Sequence, residues 1–216
     1  MSKPKWMDKA EKDARSGDYE RITPGGHKCN IRMIEPAKSK SGLDMYIVYF
    51  DTSSEDAQPY FYKKAYDADT RDNKAWGGRM WLIIDEGAMS NTKNGVSYYG
   101  QTNLAKLTTA IEDSNDGFAV DWKADYRTQD FCKQFAGRKV GIVFREEEYT
   151  TEPYNEVRVS VKPVFFRNYD KVTEAKVPAR KELPKQTPAW SAPDPNGFMQ
   201  LNDALEDDTE GLPFNV

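Results

Sequence analysis

The sequence predicts a mainly β protein: a small five-stranded barrel with one inserted helix, followed by a disordered linker and an acidic tail. Short segments rich in β-branched and aromatic residues alternate with Gly, Asn and Pro turn signals along most of the chain. A single segment has clear helical spacing, and it comes late in the order. Toward the C-terminus, prolines and charged residues replace the apolar pattern.

The bulk composition narrows the class of protein. The 216 residues are 38% apolar and 31% charged, enough for one ordinary domain with appendages. No apolar run is long enough to cross a membrane, and the N-terminus lacks the apolar region of a secretory signal. Cys29 and Cys132 lie far apart, as expected in a reducing cytoplasm. With His27 as the single histidine, the usual Cys/His zinc site cannot form, and we predict no metal and no cofactor.

The first strands are predicted from residue alternation. Cys29, Ile31 and Met33 are expected to point into the core, with Lys28, Asn30 and Arg32 on the other face. Residues 44–51 are apolar on both faces, which is typical of a central strand covered on both sides, one face by the core and the other by protein or by a ligand. Further strands are expected within residues 58–69 and 77–85.

The helix and a hairpin complete the predicted domain. Leu104, Leu107 and Ile111 have helical spacing in the segment 102–115, with Thr102 or Asn103 as the N-cap. Two alternating segments, 137–149 and 155–165, predict a hairpin. In it, residues Val140, Ile142 and Phe144 are expected to match Val157, Val159 and Val161.

These elements fit a five-stranded oligonucleotide-binding (OB) barrel with an inserted helix, and an open sheet packed on one helix is the competing interpretation. We assign residues 1–17 to an N-terminal arm or short helix and 18–168 to the folded domain. Five of the twelve prolines fall between Pro178 and Pro195, so residues 169–200 are interpreted as a disordered linker before the tail, 201–216.

The tail carries the net acidity of the protein. Residues 201–216 contain five acids and no base, whereas the rest of the chain carries 31 bases and 30 acids. A nearly neutral body with a tail of one sign is typical of an interaction tail.

Aromatic and basic residues interleave in the predicted strands and loops. Single-stranded nucleic acid is bound by rings on which bases stack and by cations along the backbone. The same rings also suit a strand that merely packs against protein, which is the competing interpretation. The candidate residues for binding single-stranded DNA are Lys28, Arg32, Lys38, Lys40, Tyr46, Tyr60, Tyr62, Lys64, Trp76 and Arg79.

Catalytic chemistry is weakly supported. Asp51, Asp85, Glu86 and the run Glu146–Glu148 could bind Mg²⁺ in a nuclease only if they converged, and no catalytic Lys or His accompanies them at a recognisable spacing. No phosphate-binding loop of the GxxxxGK[ST] type is present, which argues against an NTPase. We predict that the protein is not an enzyme.

The end of the chain resembles the acidic tail of bacterial single-stranded DNA-binding proteins, which follows an OB-fold and a linker. The matching residues are Asp207, Asp208, Glu210, Leu212, Pro213 and Phe214. The overall plan is also similar to that of phage-encoded single-stranded DNA-binding proteins. In the bacterial family the Phe and its terminal carboxylate dock into partner enzymes. Here Asn215 and Val216 follow Phe214, so the resemblance implies a different pocket, such as that of a phage-encoded partner.

The resemblance implies a protein that coats and protects single-stranded DNA in phage replication, recombination or repair and recruits enzymes through its tail. Its expected location is the cytoplasm, that of the host cell if the protein is phage-encoded, and a homo-oligomer is left open. The alternatives are an interaction adaptor or structural phage protein and, more remotely, a metal-dependent nuclease.

Overall fold

The computed structural model describes residues 20–92, 95–151 and 156–183, in which strands predominate. The strands are β1 (Gly25–Lys38), β2 (Asp44–Thr52), β3 (Arg79–Ile83), β4 (Ser90–Thr92), β5 (Gly95–Ser97), β6 (Lys139–Thr151) and β7 (Glu156–Arg167). The helices are α1 (Phe61–Ala68), α2 (Tyr99–Glu112) and α3 (Gln129–Cys132), with 3-10 turns at Lys133–Phe135 and Val172–Glu174. The predicted mainly β class is confirmed.

Five strands form one antiparallel sheet in the order β3-β2-β1-β6-β7, and β4 and β5 form a separate two-stranded sheet. No ladder of hydrogen bonds joins β3 to β7 within the described residues, so the sheet is open between these two edges. Helix α2 lies in the chain between β3 and β6, where the sequence predicted an inserted helix.

The core lies between the inner face of the sheet and α2. Tyr46, Val48 and Phe50 alternate inward along β2, and Leu107 and Ile111 supply the buried face of the helix. Their burial removes apolar surface from water, which is the main stabilising term of a fold of this size. Helix α2 begins earlier than predicted, after Tyr98. Instead of capping it, Asn103 donates from its side-chain amide to the Ile83 carbonyl, 2.9 Å away, and so ties α2 to β3.

A β-bulge changes the predicted alternation of β1. The register with β2 shifts between Ile31 and Met33, so Arg32 is an extra residue and the side chains after it change faces. Cys29 and Ile31 are buried as predicted, but Met33 is 41% exposed and Ile34 occupies the core instead. The prediction for Met33 was wrong because strict alternation cannot anticipate an inserted residue.

The β6–β7 hairpin forms, but not in the predicted register. Ile142 lies opposite Phe166 and Phe144 opposite Pro163, whereas Val161 lies opposite Glu146. Val157 is 59% exposed. The three valines therefore lie opposite residues 146–150 of β6. The buried first half of β6 pairs instead with the end of β7.

The fold continues past the predicted boundary at residue 168. Tyr169 and Val172 are buried, and the compact unit ends at Glu182. Lys181 forms a parallel bridge with Glu147: its N–H donates to the Glu146 carbonyl, and its own carbonyl accepts from the Glu148 N–H. This part of the predicted linker is therefore structured. The predicted arm 1–17, linker residues 184–200 and the tail lie outside the described residues.

A buried ion pair fastens the start of the described chain to the loop after β2. The His27 ring donates from Nδ1 to Asp56 Oδ1 and from Nε2 to the Thr23 carbonyl, both at 2.9 Å. The Asp56 carboxylate also accepts the backbone N–H groups of Lys28 and Gln58. Because both ring nitrogens lie at hydrogen-bond distance from acceptor oxygens, the geometry favours the imidazolium form of His27. Burial opposes that charge, but the hydrogen bonds to Asp56 and Thr23 outweigh it, and the pKa of His27 is raised.

The pair predicts a pH dependence of stability. A raised folded-state pKa stabilises the fold below the unfolded pKa of about 6.5, and this contribution is lost as pH rises through the folded value. The pKa of Asp56 is lowered in the fold, although burial alone would raise it, because His27 and backbone N–H groups donate to the carboxylate. Its contribution is therefore lost only in acid.

Urea midpoints measured on both sides of neutrality should fall on the alkaline side for the wild type. They should fall less for His27→Gln. An equal fall of the urea midpoint with pH in the two proteins would contradict an ionised pair.

Candidate nucleic-acid interface

The solvent side of strands β1, β2 and β3 carries two rows of side chains in cross-strand register. One row is Met33, Tyr49 and Arg79, and the other is Glu35, Ile47 and Trp81. We call these six residues the outer face. Residues directly opposite each other on neighbouring antiparallel strands lie on the same side of a sheet, so each row is continuous.

Trp81 is the most exposed aromatic side chain of the outer face, with 56% of its surface accessible. The Arg79 guanidinium lies over its ring, 5.1 Å from the centroid. Ile47 lies beside it on β2. The arrangement combines a largely exposed indole ring, on which a base can stack, with a guanidinium over that ring that can meet the phosphate of the base.

A second cation and tryptophan pair borders the outer face. The Arg32 guanidinium lies 3.8 Å from the centre of the Trp76 ring, and the Trp76 indole N–H donates to the Phe50 carbonyl, 2.9 Å away. Tyr66 packs against the same indole, with Lys74 over the tyrosine ring. Trp76 is thus held in place by protein contacts, while Arg32, which is exposed at the bulge, presents the available charge.

An open cleft of about 590 Å³ separates the edges of β3 and β7. Arg79 and Trp81 line it from β3, and Arg145 and Lys162 line it from the β6–β7 hairpin. Glu147 also faces the cleft but is paired with Arg145 at 2.8 Å. The cleft and the outer face therefore share Arg79 and Trp81.

The predicted strand at residues 58–69 is wrong, because Phe61–Ala68 forms helix α1. Tyr62 packs edge-on against Phe50, with ring centres 5.5 Å apart, and so belongs to the support of the sheet. The Asp51 carboxylate accepts the Tyr62 N–H, and the Thr52 hydroxyl accepts the Phe61 N–H, which fixes the start of the helix. A strand would have placed Tyr60, Tyr62 and Lys64 on one face. In the helix they do not share such a face.

Tyr60 and Lys64, in contrast to Tyr62, are exposed. Tyr60 precedes α1 with a φ of 55°, in the left-handed region that non-glycine residues rarely adopt, and its side chain is 46% exposed. Lys64 is exposed on the helix.

Tyr46 was wrongly predicted as a ligand-facing residue. Its side chain is fully buried, and its hydroxyl donates to the Tyr126 carbonyl. Burial is the main reason that the pKa of this phenol is strongly raised. No base can reach its ring, since the available face of β2 is the one bearing Ile47 and Tyr49.

The predicted lysines are spread along the length of β1. Lys28 lies near Glu55 and Asp170, at 3.6 and 3.9 Å, and Lys38 pairs with Asp44 at 2.6 Å. Lys40 is exposed in the turn between β1 and β2. The structure brings Arg32, Trp76 and Arg79 together and leaves the three lysines away from the outer face.

Five of the six carboxylates considered as metal ligands have structural partners in the described residues; of the run Glu146–Glu148, Glu147 pairs with Arg145 and Glu148 with Arg180. Asp51 receives the N–H of Tyr62, Asp85 receives those of Asp44 and Gly87, and Glu86 pairs with Arg127. No group of three or more potential metal ligands occurs within residues 20–92, 95–151 and 156–183.

Comparison with known proteins finds no matching family model and no matching curated protein. In the described part of the chain, no helix combines the length and apolar content needed to cross a membrane.

Of the six residues of the outer face, only Arg79 was among the predicted binding residues; the five that were missed are Met33, Glu35, Ile47, Tyr49 and Trp81. The alternation of Arg79, Trp81 and Ile83 with Met80, Leu82 and Ile84 was a usable signal for Trp81. Tyr49 was missed because Tyr46 was chosen on the same strand, where residue type does not show which ring faces the core. The bulge at Arg32 concealed the face on which Glu35 lies.

Proposed function

We propose that the protein is a non-enzymatic single-stranded DNA-binding protein that holds DNA across the outer face. The observation that carries this proposal is the exposed Trp81 ring on β3, with Ile47 beside it on β2 and the Arg79 guanidinium over it. Stacking on such a ring stabilises binding by about 1–3 kcal/mol per base and tolerates any sequence.

The architecture supports the same proposal. The sheet has five strands with a helix inserted before the fourth, and the edges of β3 and β7 face each other across the cleft. We interpret this as a partly open OB-type barrel, in which the face of the second and third strands is the usual binding surface for oligonucleotides. The outer face occupies those strands.

A single strand suits this surface better than a duplex. Trp81 offers a ring face, and only an unpaired strand can turn its bases onto it. Arg79, at one end of its row, and Arg32, next to Met33 in β1, can follow one phosphate backbone.

We further propose that the tail recruits replication or recombination enzymes through Leu212, Pro213 and Phe214. This part of the proposal rests on the sequence, where an apolar group follows a block of acids at the end of a Pro-rich segment.

A titration of fluorescent oligo-dT with the protein at several salt concentrations tests the function. We expect micromolar or tighter binding whose affinity falls with salt, and much weaker binding to a duplex of the same length. Equal weakness toward both DNAs would contradict the proposal and favour the interaction adaptor. Mg²⁺-dependent shortening of the oligonucleotide would favour the nuclease.

The salt dependence should report Arg79 directly. Arg79→Gln removes one cation beside Trp81, so the slope of log affinity against log salt should become shallower by about 0.7. Arg79→Lys keeps the charge and should keep the slope. Lys123→Ala, a change at an exposed lysine outside the outer face, is the control and should leave the slope unchanged. An unchanged slope in Arg79→Gln would exclude a phosphate contact there.

A further inference from the structure

Glu35 lies at one end of the row that contains Ile47 and Trp81. It is half-buried on the same solvent side of the sheet as the open indole ring. Neighbouring strands are about 4.8 Å apart, so Glu35 and Trp81 are separated by roughly 10 Å with Ile47 between them. A base laid flat over Ile47 would reach both side chains.

Among the described residues, the Glu35 carboxylate forms no ion pair with a Lys or Arg. Other acids of the strands do: Asp44 pairs with Lys38, Glu147 with Arg145 and Glu156 with Arg158. Tyr49 lies in the neighbouring row on β2, and burial, together with the nearby Glu35 carboxylate, raises the pKa of its phenol. One hydroxyl cannot saturate a carboxylate, which has about four acceptor positions.

An unbalanced carboxylate repels phosphate, so at this position it works against general electrostatic attraction for a DNA backbone. It favours binding only where it meets a hydrogen-bond donor of the ligand. Bases supply such donors at their exocyclic amino groups: cytosine presents an N4 amino group where thymine presents the O4 carbonyl, an acceptor.

We propose that Glu35 selects the base that lies over Ile47, accepting a hydrogen bond from an exocyclic amino group such as N4 of cytosine and disfavouring thymine. This inference rests on the proposed function. It makes the outer face selective at one nucleotide position, while Trp81 and Arg79 bind irrespective of sequence.

Titrations with oligo-dC and oligo-dT of equal length, at slightly alkaline pH to keep cytosine neutral, test the inference. The wild type should bind oligo-dC about fivefold more tightly, the lower end of the range for a good side-chain contact to a base. In Glu35→Ala the two affinities should become equal, with oligo-dT bound at least as tightly as by the wild type.

The control is Glu174→Ala, which removes the same charge from an exposed position in the turn Val172–Glu174 and should keep the preference. Thermal midpoints establish that each variant is folded. Binding of both oligonucleotides without a preference, or with a preference that Glu35→Ala retains, overturns this inference and leaves the proposed function standing. Failure to bind either oligonucleotide overturns both.

Discussion

Trp81→Ala is expected to weaken binding of oligo-dT by about 5- to 150-fold while leaving the thermal midpoint nearly unchanged. The reason is that the indole is 56% exposed and contributes more to the open surface than to the core. The loss corresponds to one stacked base, about 1–3 kcal/mol. Fluorescence anisotropy of a labelled oligonucleotide measures it.

Trp122→Ala provides a matched control. Trp122 is 55% exposed, so the change removes the same side chain from an equally accessible position outside the outer face. It should leave the affinity for oligo-dT unaltered. Equal losses in the two variants would show that exposed tryptophans contribute in a general way, and that Trp81 has no particular place in binding.

Asp56→Ala is expected to destabilise the protein by about 3 kcal/mol, since it leaves the buried His27 without its counter-ion. Both side chains are almost fully inaccessible, with 4% and 3% exposed. The change also removes the acceptor of the Lys28 and Gln58 N–H groups. For a domain of this size, the thermal midpoint should fall by roughly 10 °C.

The variant should also lose the fall in stability on the alkaline side of neutrality, because His27 without Asp56 has little reason to carry charge. Asp130→Ala is the control: it breaks an exposed ion pair with Lys133 and should leave the midpoint where it was. A midpoint in Asp56→Ala that matches the wild type would show that the buried pair does not stabilise the fold.

The parts of the fold that the sequence predicted are those with strong local periodicity. Leu107 and Ile111 repeat at helical spacing and are buried in α2. Cys29 and Ile31 alternate and are buried in β1. In both cases the sequence pattern and the tertiary environment agree, so the periodicity was sufficient to predict which side chains are buried.

Helix α1 could not be predicted from strand propensity, because its aromatic residues favour strands in general. Its formation depends on Asp51 and Thr52, which accept the first free N–H groups of the helix from the end of β2. The spacing of Tyr62 and Tyr66, four residues apart, was the local signal for a helix.

The candidate site was predicted in part. Arg32, Trp76 and Arg79 were chosen from composition and converge around the outer face. Trp81 was missed although its alternation with buried Met80 and Leu82 marks it as exposed. Tyr46 and Tyr49 were indistinguishable by residue type, and only the packing of β2 against the core decides which ring is available.

Photo-crosslinking of an iodouracil-substituted oligo-dT, followed by mass spectrometry of the labelled peptides, tests most directly that single-stranded DNA lies on the outer face. We predict crosslinks to Trp81 or Tyr49, suppressed by excess unlabelled oligo-dT. Crosslinks confined to other exposed aromatic residues, such as Trp122 or Tyr98, or the absence of any specific crosslink, would contradict the account.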